Sequence, residues 1–134
     1  MPDDELREAY ERHVRCRADG DWSALADCFA EDARYFDPIF GWHTGREAIR
    51  GFLKRAMAGL ADRDFRDVWH VIDGNRLVLY WQCDAREGAF ESGDPDLYHG
   101  TSALLYAGDG RWQEQVDIYD REQARSSRTR AGSD

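Results

Sequence analysis

The chain has 134 residues, 42% hydrophobic and 34% charged, a balance that fits one globular domain and excludes a disordered chain. Its 27 acidic against 18 basic residues leave a formal charge of −9, which repels phosphate backbones and anionic lipid, so neither nucleic acid nor a membrane is expected as a partner. No apolar run approaches the roughly 18 residues of a membrane span, and the start MPDDELREAY is no secretory signal, so a cytoplasmic location is expected.

Residues 4–18 place Leu6, Ala9, Tyr10, His13 and Val14 on one helical stripe. Ala18-Asp19-Gly20-Asp21 breaks that helix, and Asp21 is a candidate N-cap for a second one burying Trp22, Leu25, Ala26 and Phe29 and ending near Glu31-Asp32. A strand from Ala33 to Asp37 follows, stopped by Pro38, with Ala33, Tyr35 and Asp37 on one face. The loop PIFGWHTG leads to Thr44-Gly45-Arg46-Glu47, a capping box, and to a third helix with Ile49, Phe52, Leu53, Ala56, Met57 and Leu60 on one face.

After Gly59 the period becomes extended. Strands are expected at 65–72, 77–83, 97–106 and 111–119, with turns at Asp73-Gly74-Asn75 and Gly108-Asp109-Gly110. The Gly-rich segment 86–96 reads as a loop, a candidate lid, and residues 123–134 as a flexible polar tail beyond a domain of residues 1–122. These elements predict an α+β fold in which three helices pack on a curved antiparallel sheet. Strands 77–83 and 103–106 are apolar on both faces, so a homodimer packed through the outer sheet face is expected.

Cys16, Cys28 and Cys83 are odd in number and lack CxxC spacing, which suits reduced core or edge thiols. The histidines at 13, 43, 70 and 99 have no close ligand spacing, and no glycine-rich phosphate loop follows a strand. No metal and no cofactor are therefore expected.

The stretch WSALADCFAEDARYFDPIFGWHTGREAIRGFL resembles the SnoaL-like branch of the nuclear-transport-factor-2-like superfamily. The residues that carry the likeness are Phe29-Ala30-Glu31-Asp32-Ala33, Asp37-Pro38, and Gly45-Arg46-Glu47-Ala48-Ile49-Arg50. The close of the chain, Gly110-Arg111-Trp112 through Asp117-Ile118-Tyr119-Asp120, resembles the family's last strand. The resemblance implies a cone with an internal pocket, a cystatin-like α+β barrel, in a family that holds ketosteroid isomerase, scytalone dehydratase, polyketide cyclases and limonene epoxide hydrolase. Other members only bind partners.

Asp37 leads the candidate catalytic residues. It is flanked by Tyr35, Phe36, Ile39, Phe40 and Trp42, a partly desolvated setting that suits a general base, and it resembles the base of ketosteroid isomerase in the same Asp-Pro context. The other reading is that it accepts loop N–H bonds beside Pro38. His13 stands where the isomerase resemblance implies a tyrosine oxyanion donor, and Ser102 falls near that enzyme's second oxyanion group. Both depart from the isomerase pattern. His13 is a candidate acid or oxyanion donor, or a satisfied core histidine.

His99 lies roughly where scytalone dehydratase places a catalytic histidine, and His70 falls within a strand. Asp117 shares a strand face with Tyr119, where limonene epoxide hydrolase has one of its paired aspartates; the Arg and second Asp of that enzyme have no counterpart in GTSALLY. Asp117 is a candidate pocket acid, or a salt-bridge partner at the rim.

Tyr35, Phe40, Trp42, Trp81 and Tyr119 are candidates to line the pocket. Tyr80, Trp81, Tyr98 and Trp112 equally suit a core or an interface. The function expected is a cofactor-independent lyase, isomerase or cyclase using acid–base chemistry on a small, largely apolar carbonyl or polyketide-like substrate. The alternative is a non-catalytic small-molecule binding or dimerisation module of the same fold.

Overall fold

The computed structural model describes residues 2–58, 64–84 and 98–124. The expected lid at 86–96, Leu60 and most of the tail lie outside the described residues. Helix α1 spans Pro2–Asp19 and α2 Trp22–Asp27, followed by strands β1 (Phe29–Asp37) and β2 (Gly41–Thr44) and helix α3 (Arg46–Ala58). Strands β3 (Asp64–Asp73), β4 (Arg76–Asp84), β5 (Tyr98–Gly108) and β6 (Arg111–Tyr119) complete the order. No helix among the described residues is long and apolar enough to cross a membrane.

Helix α1 buries Leu6, Ala9, Tyr10 and His13 on the expected stripe and stops at Gly20, whose φ of 66° suits a residue without a Cβ. Asp21 caps α2 by accepting from the Ala24 N–H at 3.0 Å. That helix is shorter than the periodicity predicts: it ends at Asp27, and Phe29 opens a strand. The Cys28 carbonyl is taken by the Trp112 N–H at 2.8 Å, which draws the chain into the sheet, and Phe29 then buries completely in the core. The Cys28 thiol donates to the Ala24 carbonyl, and burial, with Cys16 beside it, pushes it up to about 11.

Two further corrections concern the segment after Asp37. The expected loop contains β2, which pairs antiparallel with β1 through Tyr35 and His43 and through Phe36 and Trp42. The expected capping box does not form: the Glu47 carboxylate binds Arg50, and Gly45 supplies the first carbonyl of α3, to the Ile49 N–H. Thr44 instead extends β2 opposite Arg34.

The sheet has six strands in the order β2-β1-β6-β5-β4-β3. The meander from β3 to β6 is antiparallel as expected, but β1 runs parallel to β6 in the middle. The sheet is therefore mixed, and it stays open, with β2 and β3 as its edges, rather than closing into a barrel. The helices cover its inner face. After β6, residues 121–124 form one helical turn whose Ala124 is buried in the core.

Gly100 marks where β5 passes the site. A Cβ there would overlap the Ile118 carbonyl oxygen and stand 2.8 Å from the Trp81 ring and 2.9 Å from Tyr119. The Ile118 carbonyl and the Tyr119 Cβ are held by the β6 backbone and cannot give way, so Gly100→Ala should destabilise the fold by about 1–3 kcal/mol, read as a lower midpoint in chemical denaturation.

Candidate active site

A cavity of about 770 Å³ lies between the helices and the inner face of the sheet, a volume typical of small-molecule sites. One wall is apolar, built from Leu25, Phe52, Leu53, Ala56, Met57 and Leu79. The other carries polar groups from every strand except β2: Tyr35 and Asp37, Asp67, Trp81, Ser102, and Gln115, Asp117 and Tyr119. Helix α1 adds His13 and Arg17.

Of the carboxylates that line this space, Asp37 and Asp117 are the buried ones. Asp37 ends β1 and is nearly buried. Its Oδ2 accepts the N–H groups of Ile39 (2.9 Å) and Phe40 (3.0 Å), which folds the chain back into β2. Tyr119 from β6 donates to both carboxylate oxygens, at 2.8 and 2.9 Å. Both sequence readings thus meet in one residue, which caps the turn with one oxygen while the other, among the described residues, is bonded to Tyr119 alone.

Asp117 is two residues away on β6 and buried among side-chain donors. Its Oδ2 accepts from the Tyr35 hydroxyl at 2.5 Å, and its Oδ1 from Ser102 (2.7 Å) and Gln115 (2.9 Å). Ser102 accepts in turn from the Trp81 indole N–H at 3.0 Å. Burial pushes Asp117 up to about 6, with the nearby Asp37 charge acting the same way; the bonds from Tyr35, Gln115 and Ser102 restrain the rise. Burial, then Asp117, also raises the Tyr35 hydroxyl well above its ordinary value.

His13 touches the site through Gln115. Its Nδ1 accepts from Arg17 Nε at 2.9 Å, so its proton sits on Nε2, 3.0 Å from Gln115 Oε1. Burial, then the Arg17 charge, push His13 down to about 3, and both ring nitrogens are engaged. It is a neutral link in a network, not a free acid. Arg17 is itself clamped by two bonds of 2.9 Å to Asp67, which also accepts from Tyr10 at 2.7 Å. Burial alone would raise Asp67, but the bonds and charge of Arg17 outweigh it and hold the carboxyl below its usual range.

A model of the SnoaL-like domain matches residues 10–127. The chain belongs to the SnoaL-like family. No curated protein matches it in sequence. Among solved structures it is similar to TerC co-crystallised with polyporic acid, at 16% identity and a TM-score of 0.76, over 93% of this chain and 98% of that one. A candidate SnoaL-like polyketide cyclase from Shewanella denitrificans OS-217 gives 19%, 0.72, 93% and 97%, and a candidate ketosteroid isomerase from Kribbella flavida DSM 17836 gives 20%, 0.68, 88% and 79%. Identities this low establish a shared fold.

Within this SnoaL-like cavity the structure gathers Asp37, Asp117, His13, Tyr35, Trp81 and Tyr119. It does not bring in His99. That residue faces outward beside Tyr80, 3.0 Å from its hydroxyl, because Ser102 points inward and the period of two sends position 99 to the opposite face. His70 packs against Tyr10 with ring centroids 4.8 Å apart and planes tilted by 50°, and it is not part of the cavity lining. Phe40 and Trp42 are about half exposed, Trp42 lying under the Arg34 guanidinium at 4.1 Å. Gln115, Arg17 and Asp67 escaped the sequence reading. Gln115 had a signal: it alternates with Asp117 and Tyr119 on one strand face.

The signs of the two titrations are opposite. Asp117 has a raised pKa in the folded protein, so its stabilising share is complete below about 4 and is lost as pH rises through about 6. His13 has a depressed one, so its share is complete above about 6.5 and is lost as pH falls toward 3. Comparing wild type with Asp117→Asn cancels the histidine. The variant should gain about 3 kcal/mol relative to wild type between pH 4 and pH 8, measured by urea denaturation across that range.

Proposed function

We propose that this SnoaL-like protein is a cofactor-independent isomerase, cyclase or lyase that moves a proton beside a carbonyl of a small, largely apolar, polyketide-like substrate. The observation that carries the reading is a pair of carboxylates, Asp37 and Asp117, opening on one mostly apolar cavity and held by different donors.

Asp37 is fixed by backbone N–H groups on one oxygen, which aims the other at a bound carbon acid. It takes the proton, and the C–H electron pair moves into an enolate. Asp117, with a pKa of about 6, carries a proton for part of its time near neutrality and can hand it to the developing oxyanion. In an isomerase Asp37 then returns its proton to a different carbon while the enol O–H gives its proton back to Asp117. In a cyclase the enol carbon attacks a second carbonyl as its O–H returns a proton to Asp117, and the new alkoxide takes the proton held by Asp37, which resets both carboxyl groups. The wall from Leu25 to Leu79 suits the hydrocarbon body of such a substrate.

The test needs no knowledge of the natural substrate. Deuterium exchange at the α-carbons of 2-tetralone and of 5-androstene-3,17-dione, followed by proton NMR, reads carbon–proton abstraction directly. Wild type should accelerate exchange, and Asp37→Asn should lose at least about a thousandfold with little change in melting temperature, since the amide oxygen still accepts the loop N–H bonds. Above pH 6 the rate should fall about tenfold per unit as Asp117 ionises. If exchange on both ketones matches buffer while polyporic acid, the ligand crystallised with TerC, binds tightly, the binding-module reading replaces the enzyme.

The outer sheet face leads to a second proposal. Trp69, Val71 and Ile118 are at least half exposed there. A second copy is the occupant proposed, because a two-fold axis sets one apolar strip against its equal. Val71→Lys/Ile118→Lys should convert a dimer to a monomer in light scattering; a monomeric wild type refutes the pairing.

A further inference from the structure

The acid role of Asp117 depends on what surrounds its carboxylate, and those surroundings are set more than one residue away. We propose that Arg17 is a positioning residue: by donating to His13 Nδ1 it locks the imidazole in its Nε2–H form and, through Gln115, keeps the hydrogen bonds around Asp117 aimed at the carboxylate. Its place in catalysis rests on the function proposed above, but the lock itself is measurable without substrate.

The argument follows from which groups can only give and which can only take. A guanidinium has no acceptor, so the 2.9 Å contact from Arg17 Nε makes His13 Nδ1 the acceptor. The imidazole is neutral, so its one proton is on Nε2 and goes to Gln115 Oε1 at 3.0 Å. The amide is then oriented, and its Nε2 gives one hydrogen to Tyr35 Oη (3.0 Å) and one to Asp117 Oδ1 (2.9 Å). Tyr35, having accepted, gives its own proton to Asp117 Oδ2.

From the other side the Trp81 indole, also donor-only, fixes Ser102, which gives to Oδ1. Two donor-only groups therefore stand at the ends of the chain, and an acceptor-only carboxylate in the middle. Arg17 is held to its task by Asp67 with two parallel bonds. The titratable groups that face Asp117 are Tyr35 and Asp37 from β1, the latter bonded to Tyr119; Ser102 comes from β5, and α1 acts through His13 and Arg17.

Without Arg17 the ring can carry its proton on Nδ1. Nε2 then becomes an acceptor, the Gln115 amide turns over, and its carbonyl oxygen faces Tyr35 and Asp117. The carboxylate loses a donor and meets a lone pair, so it keeps its proton to higher pH.

Arg17→Met alone would strand the Asp67 charge, so the test uses Arg17→Met/Asp67→Leu, which removes one charge of each sign, beside Arg17→Lys, which keeps a donor. Nitrogen-15 NMR of the histidine ring reports the tautomer, and carbon-13 NMR of the carboxyl reports the Asp117 midpoint. Wild type and Arg17→Lys should show His13 as Nε2–H. The double variant should show an Nδ1–H population and an Asp117 midpoint higher by about one unit, with the pH limb of ketone exchange displaced equally. An unmoved tautomer and midpoint in the double variant overturns the proposal. So does Nδ1–H in wild type, a spectrum that decides the matter even if the double variant fails to fold. If the spectra move as expected while wild type exchanges neither ketone, the lock stands and the enzyme reading falls.

Discussion

A buried carboxylate must be supplied with donors by the protein, and Asp117 imposes that demand on the whole inner face of the sheet. Each buried polar group left without a partner costs about 1–3 kcal/mol, so every donor recruited for Asp117 must itself be satisfied. Tyr35 and Gln115 meet the first need and create a second, the amide oxygen, which His13 meets. His13 creates a third, met by Arg17, and Arg17 a fourth, met by Asp67. The chain stops at Asp67, which is partly exposed, so that water can take over. One desolvated group thus accounts for polar residues on α1, β1, β3, β5 and β6.

Topology makes this possible. The parallel pairing of β1 with β6 sets Tyr35 opposite Gln115 and brings Asp37 alongside Tyr119. The antiparallel pairing of β5 with β6 sets Ser102 opposite Asp117. A slip of one residue in either register would turn these side chains to the outer face and leave Val116 and Ile118 in the cavity. The β1–β6 contact is the one non-meander join in the sheet. It is also the join that assembles both carboxylates, so the site sits where the chain returns to its own beginning.

Much of the fold was legible because local period and punctuation decided it. The α1 stripe, the Asp21 cap, the stop at Pro38 and the glycine turns were read from neighbours in sequence and stand in the structure. The errors came where a distant partner overrode a local pattern. Phe29 matched a helical period, yet Trp112, far along the chain, claims the Cys28 carbonyl and makes a strand cheaper. Glu47 matched a capping box, yet Arg50 takes its carboxylate. For the site, alternation placed Tyr35 and Asp37, and then Asp117 and Tyr119, on inward faces. The same rule, counted back from Ser102, would have sent His99 outward. Arg17 and Asp67 were not legible by any local rule, since they meet across 50 residues through the packing of a helix on an edge strand.

The energetics of Asp117 argue about purpose. A group whose pKa is raised by burial lowers stability at neutral pH, and a shift from 3.8 to about 6 corresponds to about 3 kcal/mol, a large share of a small domain's margin. Asparagine at the same position carries no charge to desolvate: its oxygen could accept from Ser102 and Gln115, and its amide would donate to a turned Tyr35 hydroxyl. A fold that needed only to hold its shape would gain from the exchange. What the carboxyl adds is a proton that comes and goes near neutral pH, inside a cavity that already holds a second, differently anchored carboxylate. The His13 link fits the same logic, because a histidine driven to about 3 stays uncharged near neutral pH and, with its one proton engaged by Gln115, transmits only orientation. The network sacrifices stability to keep one titrating group poised near neutral pH, the condition that the proposed proton transfer requires.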